Sequence, residues 1–129
     1  MIIDTSSWVE YSRRPTGPLG DAVDNALAAG TAMTVDVVRL ELLAGLALPS
    51  RRVMNGVLAG CTFVPQLSWF DVDAAVDLYQ QCRRKGETVR SPNDCLIAAI
   101  AIRVGVSVLH RDRDFDAIAR HSRLEATRG

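Results

Sequence analysis

Apolar and polar positions alternate along the chain in short blocks, which predict strands and helices in turn. The apolar block at residues 1–4 predicts a strand, and the stretch from Thr5 to about Arg13 predicts a first helix. A turn at residues 15–18 leads to a second helix over about 19–29, which Gly30 ends. The chain is therefore predicted to open as strand, helix, helix.

The later blocks extend this alternation over the rest of the chain. The first half continues with a strand over Thr31–Thr34, a helix from about Val35 to Leu48 that Pro49 stops, and a helix from Ser50 to about Ala59. A strand over Cys61–Val64 and a helix over about 71–85 follow. The chain ends with a helix from Pro92 to about Val104, a strand over Val106–Leu109 and a helix over Phe115–Arg120. Such alternation favours an α/β fold with a central, mostly parallel sheet and helices on both faces.

Composition is that of an ordinary globular chain, with 48% apolar and 23% charged residues. No linker, repeat or low-complexity segment divides it, so residues 1–129 are expected to form one domain. No apolar run approaches the ~20 residues that span a bilayer, and the start does not resemble a secretory signal. Cys61, Cys82 and Cys95 have no paired spacing, which is typical of a reducing compartment. We therefore expect a cytoplasmic protein.

The net charge of zero argues against a protein held to nucleic acid by bulk charge alone. The basic side chains are nevertheless unbalanced, because Lys85 is the only lysine among 15 Lys and Arg residues. Arginine forks suit phosphate and base recognition. A genome that favours arginine codons explains the same bias, so both explanations stay open.

Four acidic residues occur within or directly beside apolar sequence: Asp4, Glu41, Asp94 and Asp112. Carboxylates brought together repel each other, and each is costly to desolvate unless a cation compensates it. Oxygen ligands of this kind bind hard divalent cations such as Mg²⁺, which commonly serve phosphate chemistry. The four carboxylates therefore predict a metal site and suggest a metal-dependent nuclease.

The predicted fold indicates where these carboxylates meet. Asp4 ends the first strand and Asp112 comes just after the last predicted strand. In open parallel sheets, ligands bind outside the carboxyl ends of the strands. If the two strands are parallel neighbours, both carboxylates emerge at the same edge, which Glu41 and Asp94 then reach from helices.

Helix capping offers another explanation for two of the four acids. Asp4 precedes a helix, and Asp is a favoured N-cap residue. Ser91 and Asp94 fit a capping box, with Ser91 as the N-cap. Glu41 lacks such an explanation, because its neighbours one helical turn away are apolar and Arg39, two positions away, diverges around the helix. We therefore expect Glu41 to point from an apolar face.

The segment Arg111-Asp112-Arg113-Asp114-Phe115-Asp116 alternates in charge, as solvated loops do. Asp112 directly follows the predicted strand, which makes it the better candidate ligand. Asp114 is a candidate for a further ligand or for a residue that supports the ligands.

Four segments together carry a resemblance to a known family. They are Ile2-Ile3-Asp4-Thr5-Ser6-Ser7, Arg39-Leu40-Glu41-Leu42-Leu43, Asn93-Asp94-Cys95-Leu96-Ile97-Ala98-Ala99 and Leu109-His110-Arg111-Asp112-Arg113-Asp114-Phe115. In this order and spacing they resemble the PIN-domain ribonucleases and, within them, the VapC toxins of bacterial toxin–antitoxin pairs. The resemblance spans nearly the whole chain and implies a three-layer PIN-like fold.

The resemblance also implies roles for individual residues. Asp4, Glu41, Asp94 and Asp112 would be the acidic quartet that binds Mg²⁺ or Mn²⁺, with Asp114 as an accessory ligand. Ser6 matches a position that supports the site by hydrogen bonding. His110 departs from the Thr or Ser often found at its position, so the contact made there is open.

By the same resemblance, the reaction is metal-assisted hydrolysis of single-stranded or looped RNA. A VapB-type antitoxin would inhibit it, and the chain would form a homodimer, with a heterotetramer or larger assembly including the antitoxin. Arg111 and Arg113 flank Asp112 and are candidates for RNA contact, although each could equally be a solvated surface residue.

Two other functions remain open. One is a non-catalytic module on the same fold that binds metal, RNA or protein. The other is an aspartate-nucleophile phosphotransferase with Asp4 as the nucleophile. That class usually carries a second acid two residues later, where Ser6 stands, and a positioned lysine, for which only Lys85 is present.

Overall fold

The computed structural model describes residues 1–129, which form a five-stranded parallel sheet and seven helices. The strands are β1 (Ile2–Ile3), β2 (Met33–Thr34), β3 (Thr62–Phe63), β4 (Val108–His110) and β5 (Ala126–Arg128). The helices are α1 (Thr5–Arg13), α2 (Pro18–Ala28), α3 (Asp36–Ala44), α4 (Leu48–Ala59), α5 (Ser68–Arg84), α6 (Pro92–Val104) and α7 (Arg113–Arg120). The predicted three-layer α/β architecture is confirmed. None of the seven helices combines the length and the apolar composition that a membrane span requires.

The sheet has the order β3-β2-β1-β4-β5, with β1 in the centre. Ile2 pairs with Met33 of β2 on one side and with Val108 of β4 on the other, both in parallel. The chain thus builds β2 and β3 outward on one side of β1 and then continues on the opposite side. A reversal of this kind opens a crevice at the carboxyl ends of the central strands. The prediction that β1 and β4 are parallel neighbours is confirmed.

The central strand pair and α6 contribute the most completely buried part of a core to which all the helices add residues. Ile2, Ile3 and Val108 are fully buried, and α6 is buried over most of its circumference, including Ile97 and Ile100. Each such side chain contributes about 1.5–3 kcal/mol through burial. Because α6 is central, its first turn is held rigidly at the edge of the sheet where the strands end.

Both helices predicted between Val35 and Ala59 are present, but the boundary between them lies earlier than predicted. The first, α3, ends at Ala44, and α4 begins at Leu48. Pro49 lies in the first turn of α4. A proline there loses no helical hydrogen bond, since the first N–H groups of a helix have no intrahelical partner. Pro49 therefore begins a helix and does not stop one.

The strand β5 was absent from the prediction. Its residues 126–128 include Thr127 and Arg128, which are exposed, so they lack an apolar pattern. The strand exists because it pairs in parallel with β4, from Val108 with Ala126 to His110 with Arg128. Only the presence of β4 makes this short polar segment a strand.

The other predicted boundaries are close to the observed ones. The helix predicted over about 71–85 begins three residues earlier, at Ser68, and the terminal helix begins at Arg113. The strand predicted over Val106–Leu109 is instead Val108–His110. This shift places His110 inside the strand and Asp112 two residues beyond it.

Candidate active site

Asp4 leaves β1 at its carboxyl end and begins α1. It is the N-cap of that helix, and its carboxylate accepts hydrogen bonds from the Ser6 backbone N–H at 2.9 Å and from the Ser6 hydroxyl. The Ser6 hydroxyl in turn accepts a hydrogen bond from the Arg111 backbone N–H at 2.9 Å. Ser6 therefore joins the end of β1 to the loop after β4.

Burial affects the charge of Asp4, which is 4% exposed. Burial raises the pKa of its carboxyl, the hydrogen bonds from Ser6 oppose that rise, and the charge of Asp112 adds to it. Capping and membership of an acidic site are thus compatible for this residue.

Asp112 and Asp114 lie at the start of α7, directly beyond β4. Asp112 is the N-cap, and its Oδ1 accepts from the Asp114 backbone N–H at 3.0 Å. Asp114 is 3% exposed, and its Oδ2 accepts from the backbone N–H groups of Arg90 and Ser91 at 2.8 and 3.2 Å. Backbone donors therefore fix Oδ2 of Asp114, whereas its Oδ1 accepts only the longer contact of 3.4 Å from the Arg90 side chain.

Asp94 lies in the first turn of α6 and is 7% exposed. Its Oδ2 is buried without any hydrogen-bond partner. Ser91 does occupy the N-cap position, but its side chain makes no capping hydrogen bond, so the predicted capping box is wrong. Burial and then the charges of Asp4, Asp112, Asp114 and Glu41 raise the pKa of Asp94 to about 8.

One carboxylate oxygen each from Asp94, Asp112 and Asp114 lies within 4.8 Å of the others. Three such carboxylates, one of which also buries an oxygen without a hydrogen-bond partner, match the oxygen ligands that hard divalent cations take. A cation between them would offset the repulsion that raises the pKa of Asp94. This donor set therefore fits a divalent metal ion.

Glu41 borders the site from α3. The buried residues of that helix are Val38 and Leu42, whereas Glu41 is exposed, so the prediction that it points from an apolar face is wrong. Partial desolvation and the charge of Asp4 nevertheless raise the pKa of Glu41. Its carboxyl therefore faces the acidic group from the solvent side.

Arg90 is a residue of the site that the sequence analysis missed. Its Nη2 lies 2.7 Å from Asp112 Oδ1 and its Nε lies 3.4 Å from Asp114 Oδ1. These two carboxylates raise the pKa of the guanidinium, with Asp112 making the larger contribution. The only sequence signal was an arginine next to Ser91 at the start of the α6 segment. Nothing local distinguishes Arg90 from the other arginines.

His110 is the last residue of β4, two positions before Asp112. It is 1% exposed and packs against Phe115, with ring centroids 5.2 Å apart. Its Nε2 lies 3.5 Å from Asp116, its Nδ1 has no hydrogen-bond partner, and burial lowers its pKa. The contact left open for His110 is thus made to Asp116, and a supporting role of His110 toward the acidic residues stays a prediction.

The two arginines predicted to contact RNA are exposed. Arg111 donates a hydrogen bond from its side chain to the carbonyl oxygen of Gly129. Arg113 forms no ion pair. His121 is partly buried and contacts Glu87.

The sequence profile of the PIN domain matches residues 1–121. The VapC ribonuclease Mb1587 of Mycobacterium bovis is 40% identical over 130 residues, covering 98% of this chain and 96% of the relative. Ribonuclease VapC11 of Mycobacterium tuberculosis has the same identity and coverage.

Solved structures share the fold. VapBC2 from Rickettsia felis aligns with a TM-score of 0.79 at 16% identity, covering 99% of this chain and 97% of the other. VapBC from Salmonella typhimurium aligns with a TM-score of 0.78 at 18% identity, covering 98% and 96%. At these identities the structural similarity shows a shared fold alone. Family membership is shown by the profile match and by the 40% identity. The chain belongs to the PIN domain family and, within it, to the VapC ribonucleases.

Proposed function

We propose that this chain is a metal-dependent endoribonuclease of one domain, residues 1–129, and the toxin of a toxin–antitoxin pair. The observation that carries the proposal is the convergence of one carboxylate oxygen each from Asp94, Asp112 and Asp114 within 4.8 Å, at a residue, Asp94, that also buries an unpartnered Oδ2. The 40% identity to VapC ribonucleases supports RNA as the substrate. The toxin–antitoxin role is supported by the fold shared with VapBC complexes.

Asp94, Asp112, Asp114 and Asp4 are the residues that would hold Mg²⁺ or Mn²⁺. When bound, the cation acidifies water and offsets negative charge on the phosphate oxygens. The protein keeps the ligands in place through Ser6 on Asp4 and through the backbone N–H groups of residues 90 and 91 on Asp114. The exposed carboxyl of Glu41, whose pKa partial burial and then the charge of Asp4 raise, would be the group that accepts a hydrogen bond from the attacking water.

RNA approaches an acidic cleft only if positive side chains surround it. Arg111 and Arg113 are exposed beside Asp112 and would contact phosphates on either side of the scissile bond. Because the net charge is zero, these local contacts and the bound cation hold the substrate.

A VapB-like antitoxin and a second copy of the chain are the proposed protein partners. Large apolar side chains on the surface support such assembly: Leu40 is 72%, Val53 71%, Trp69 83% and Phe70 66% exposed. Light scattering of the purified chain tests the homodimer. A monomer at every concentration contradicts it.

The activity is tested by incubating the partner-free chain with mixed cellular RNA and Mg²⁺ or Mn²⁺. We expect discrete cleavage that EDTA abolishes and that Asp94→Asn lowers at least about 100-fold, because the variant removes one ligand and its charge. Asp73→Asn is the matched control: it makes the same chemical change on the exposed surface of α5 and is expected to keep full activity.

Cleavage that persists in EDTA, or that Asp94→Asn leaves intact, contradicts the metal-dependent reaction. RNA binding without cleavage by a folded, metal-loaded protein favours the non-catalytic module. A phosphate covalently trapped on Asp4 favours the phosphotransferase.

A further inference from the structure

The carboxylates of the acidic site form ion pairs with a single basic side chain. Arg90 is the only basic residue that forms an ion pair with any of Asp4, Glu41, Asp94, Asp112 or Asp114. Its guanidinium contacts two of the three carboxylates whose oxygens converge within 4.8 Å. Arg90 therefore lies where a divalent cation would find its ligands.

The backbone of Arg90 is fixed independently of its side chain. The N–H groups of Arg90 and Ser91 hold Asp114, and Val89 is 1% exposed. Glu87, three residues earlier, is bound by the side chains of Arg120 and His121 of the α7 end. Truncating the Arg90 side chain leaves all of these contacts in place.

The guanidinium itself is held loosely. The Arg90 side chain is 55% exposed, and its one close contact is the 2.7 Å ion pair with Asp112, which is 31% exposed. The second contact, to Asp114, is longer at 3.4 Å. Solvent-exposed ion pairs of this kind contribute little to stability, so the guanidinium can leave without any movement of the backbone.

We propose that Arg90 is a built-in counter-cation that occupies Asp112 and Asp114 in the metal-free protein and that a divalent cation must displace to bind. The proposal rests on the metal site described under the proposed function. It makes Arg90 a residue that sets metal affinity: the guanidinium keeps the carboxylates together without metal and weakens metal binding by competing for the same oxygens.

Calorimetric titration of the whole chain with Mn²⁺ tests the competition. Arg90→Ala is expected to bind Mn²⁺ about three- to tenfold more tightly than the unaltered chain, because no guanidinium has to be displaced. Arg113→Ala is the matched control. It also removes one arginine charge beside Asp112, but from a side chain that forms no ion pair. It therefore measures the effect of losing a nearby positive charge without losing a contact, and it is expected to change the affinity for Mn²⁺ less than about twofold.

Thermal unfolding in EDTA is the second readout. Arg90→Ala is expected to melt at a slightly lower temperature than the unaltered chain, because exposed ion pairs contribute little to stability, and saturating Mn²⁺ should close that small gap. A folded Arg90→Ala variant that binds Mn²⁺ equally or more weakly overturns the competition, since the arginine would then only position the ligands. If neither chain binds Mn²⁺, the metal site of the proposed function fails, and the competition fails with it.

Discussion

At the scale of the residue, Asp94 is the least compensated group in the site. Its Oδ2 has no hydrogen-bond partner, and burial, followed by the charges of four other carboxyls, raises its pKa to about 8. A carboxyl of this type in water ordinarily has a pKa of 3.8. Between these values the native protein holds a proton that the unfolded chain releases, so this residue opposes folding increasingly as the pH rises.

Without metal, the free energy of unfolding is therefore expected to fall as the pH rises from about 5 to about 8. Asp94→Asn, which cannot ionise, should remove most of that slope, leaving the smaller part that comes from Asp4 and Glu41. It should unfold with about 2 kcal/mol more free energy at pH 8, a value reduced for the water that reaches the site. Urea unfolding in EDTA at several pH values measures the effect.

The control for this change is Asp73→Asn on the exposed face of α5, which should retain the slope of the unaltered chain. A pH slope that is the same in Asp94→Asn and in the unaltered chain would show that Asp94 is not the group responsible.

At the scale of the element, one ion pair connects α5 to α6. Asp71 is fully buried, and its carboxylate accepts from Arg103 Nε at 2.8 Å and from the Leu67 backbone N–H at 2.6 Å. Arg103 also donates to the carbonyl oxygen of Pro65 at 2.7 Å. This pair fixes the start of α5 against the end of α6, the helix that carries Asp94.

Arg103→Ala is expected to lower the free energy of unfolding by about 3 kcal/mol, because it leaves the Asp71 carboxylate buried without its cation. Arg84→Ala, at the exposed end of α5, removes an arginine that forms no ion pair and should change stability by less than about 0.5 kcal/mol. Urea unfolding of both variants measures the difference. Equal changes in the free energy of unfolding would mean that the buried ion pair contributes no more to stability than an exposed arginine does.

At the scale of the whole molecule, the acidic site exists only when the chain is folded. Its members come from the end of β1, from α3, from α6 and from the loop after β4, so Asp4 and Asp112 are far apart in sequence. An unfolded chain cannot present these carboxylates together. A metal ion that they bind must therefore stabilise the native state selectively.

Thermal unfolding is expected to shift to higher temperature with Mn²⁺, by the equivalent of about 2.7 kcal/mol at a concentration 100 times the Kd. Asp112→Asn should lose most of this shift while folding normally in EDTA, because Asp112 is exposed enough to tolerate the change. An equal Mn²⁺ shift in both proteins would place the bound ion elsewhere.

The sequence by itself determined the features that depend on local order. Alternating blocks of residues specified an α/β fold, and the apolar segments around Asp4 and Asp112 predicted that both acids lie at one edge of the sheet. The parallel pairing of Ile3 with Leu109 confirmed that placement. These features could be predicted because hydrophobic periodicity and the ends of strands depend on residues that are close together in the sequence.

The tertiary structure alone decided the features that depend on distant partners. It made residues 126–128 a strand by pairing them with β4, left the Asp94 Oδ2 without a donor, and turned His110 toward Asp116. It also brought Arg90 onto Asp112, 22 residues away. Such contacts could not be predicted from the sequence, because folding brings together segments that are distant along the chain, and no local pattern of residues specifies which segments will meet.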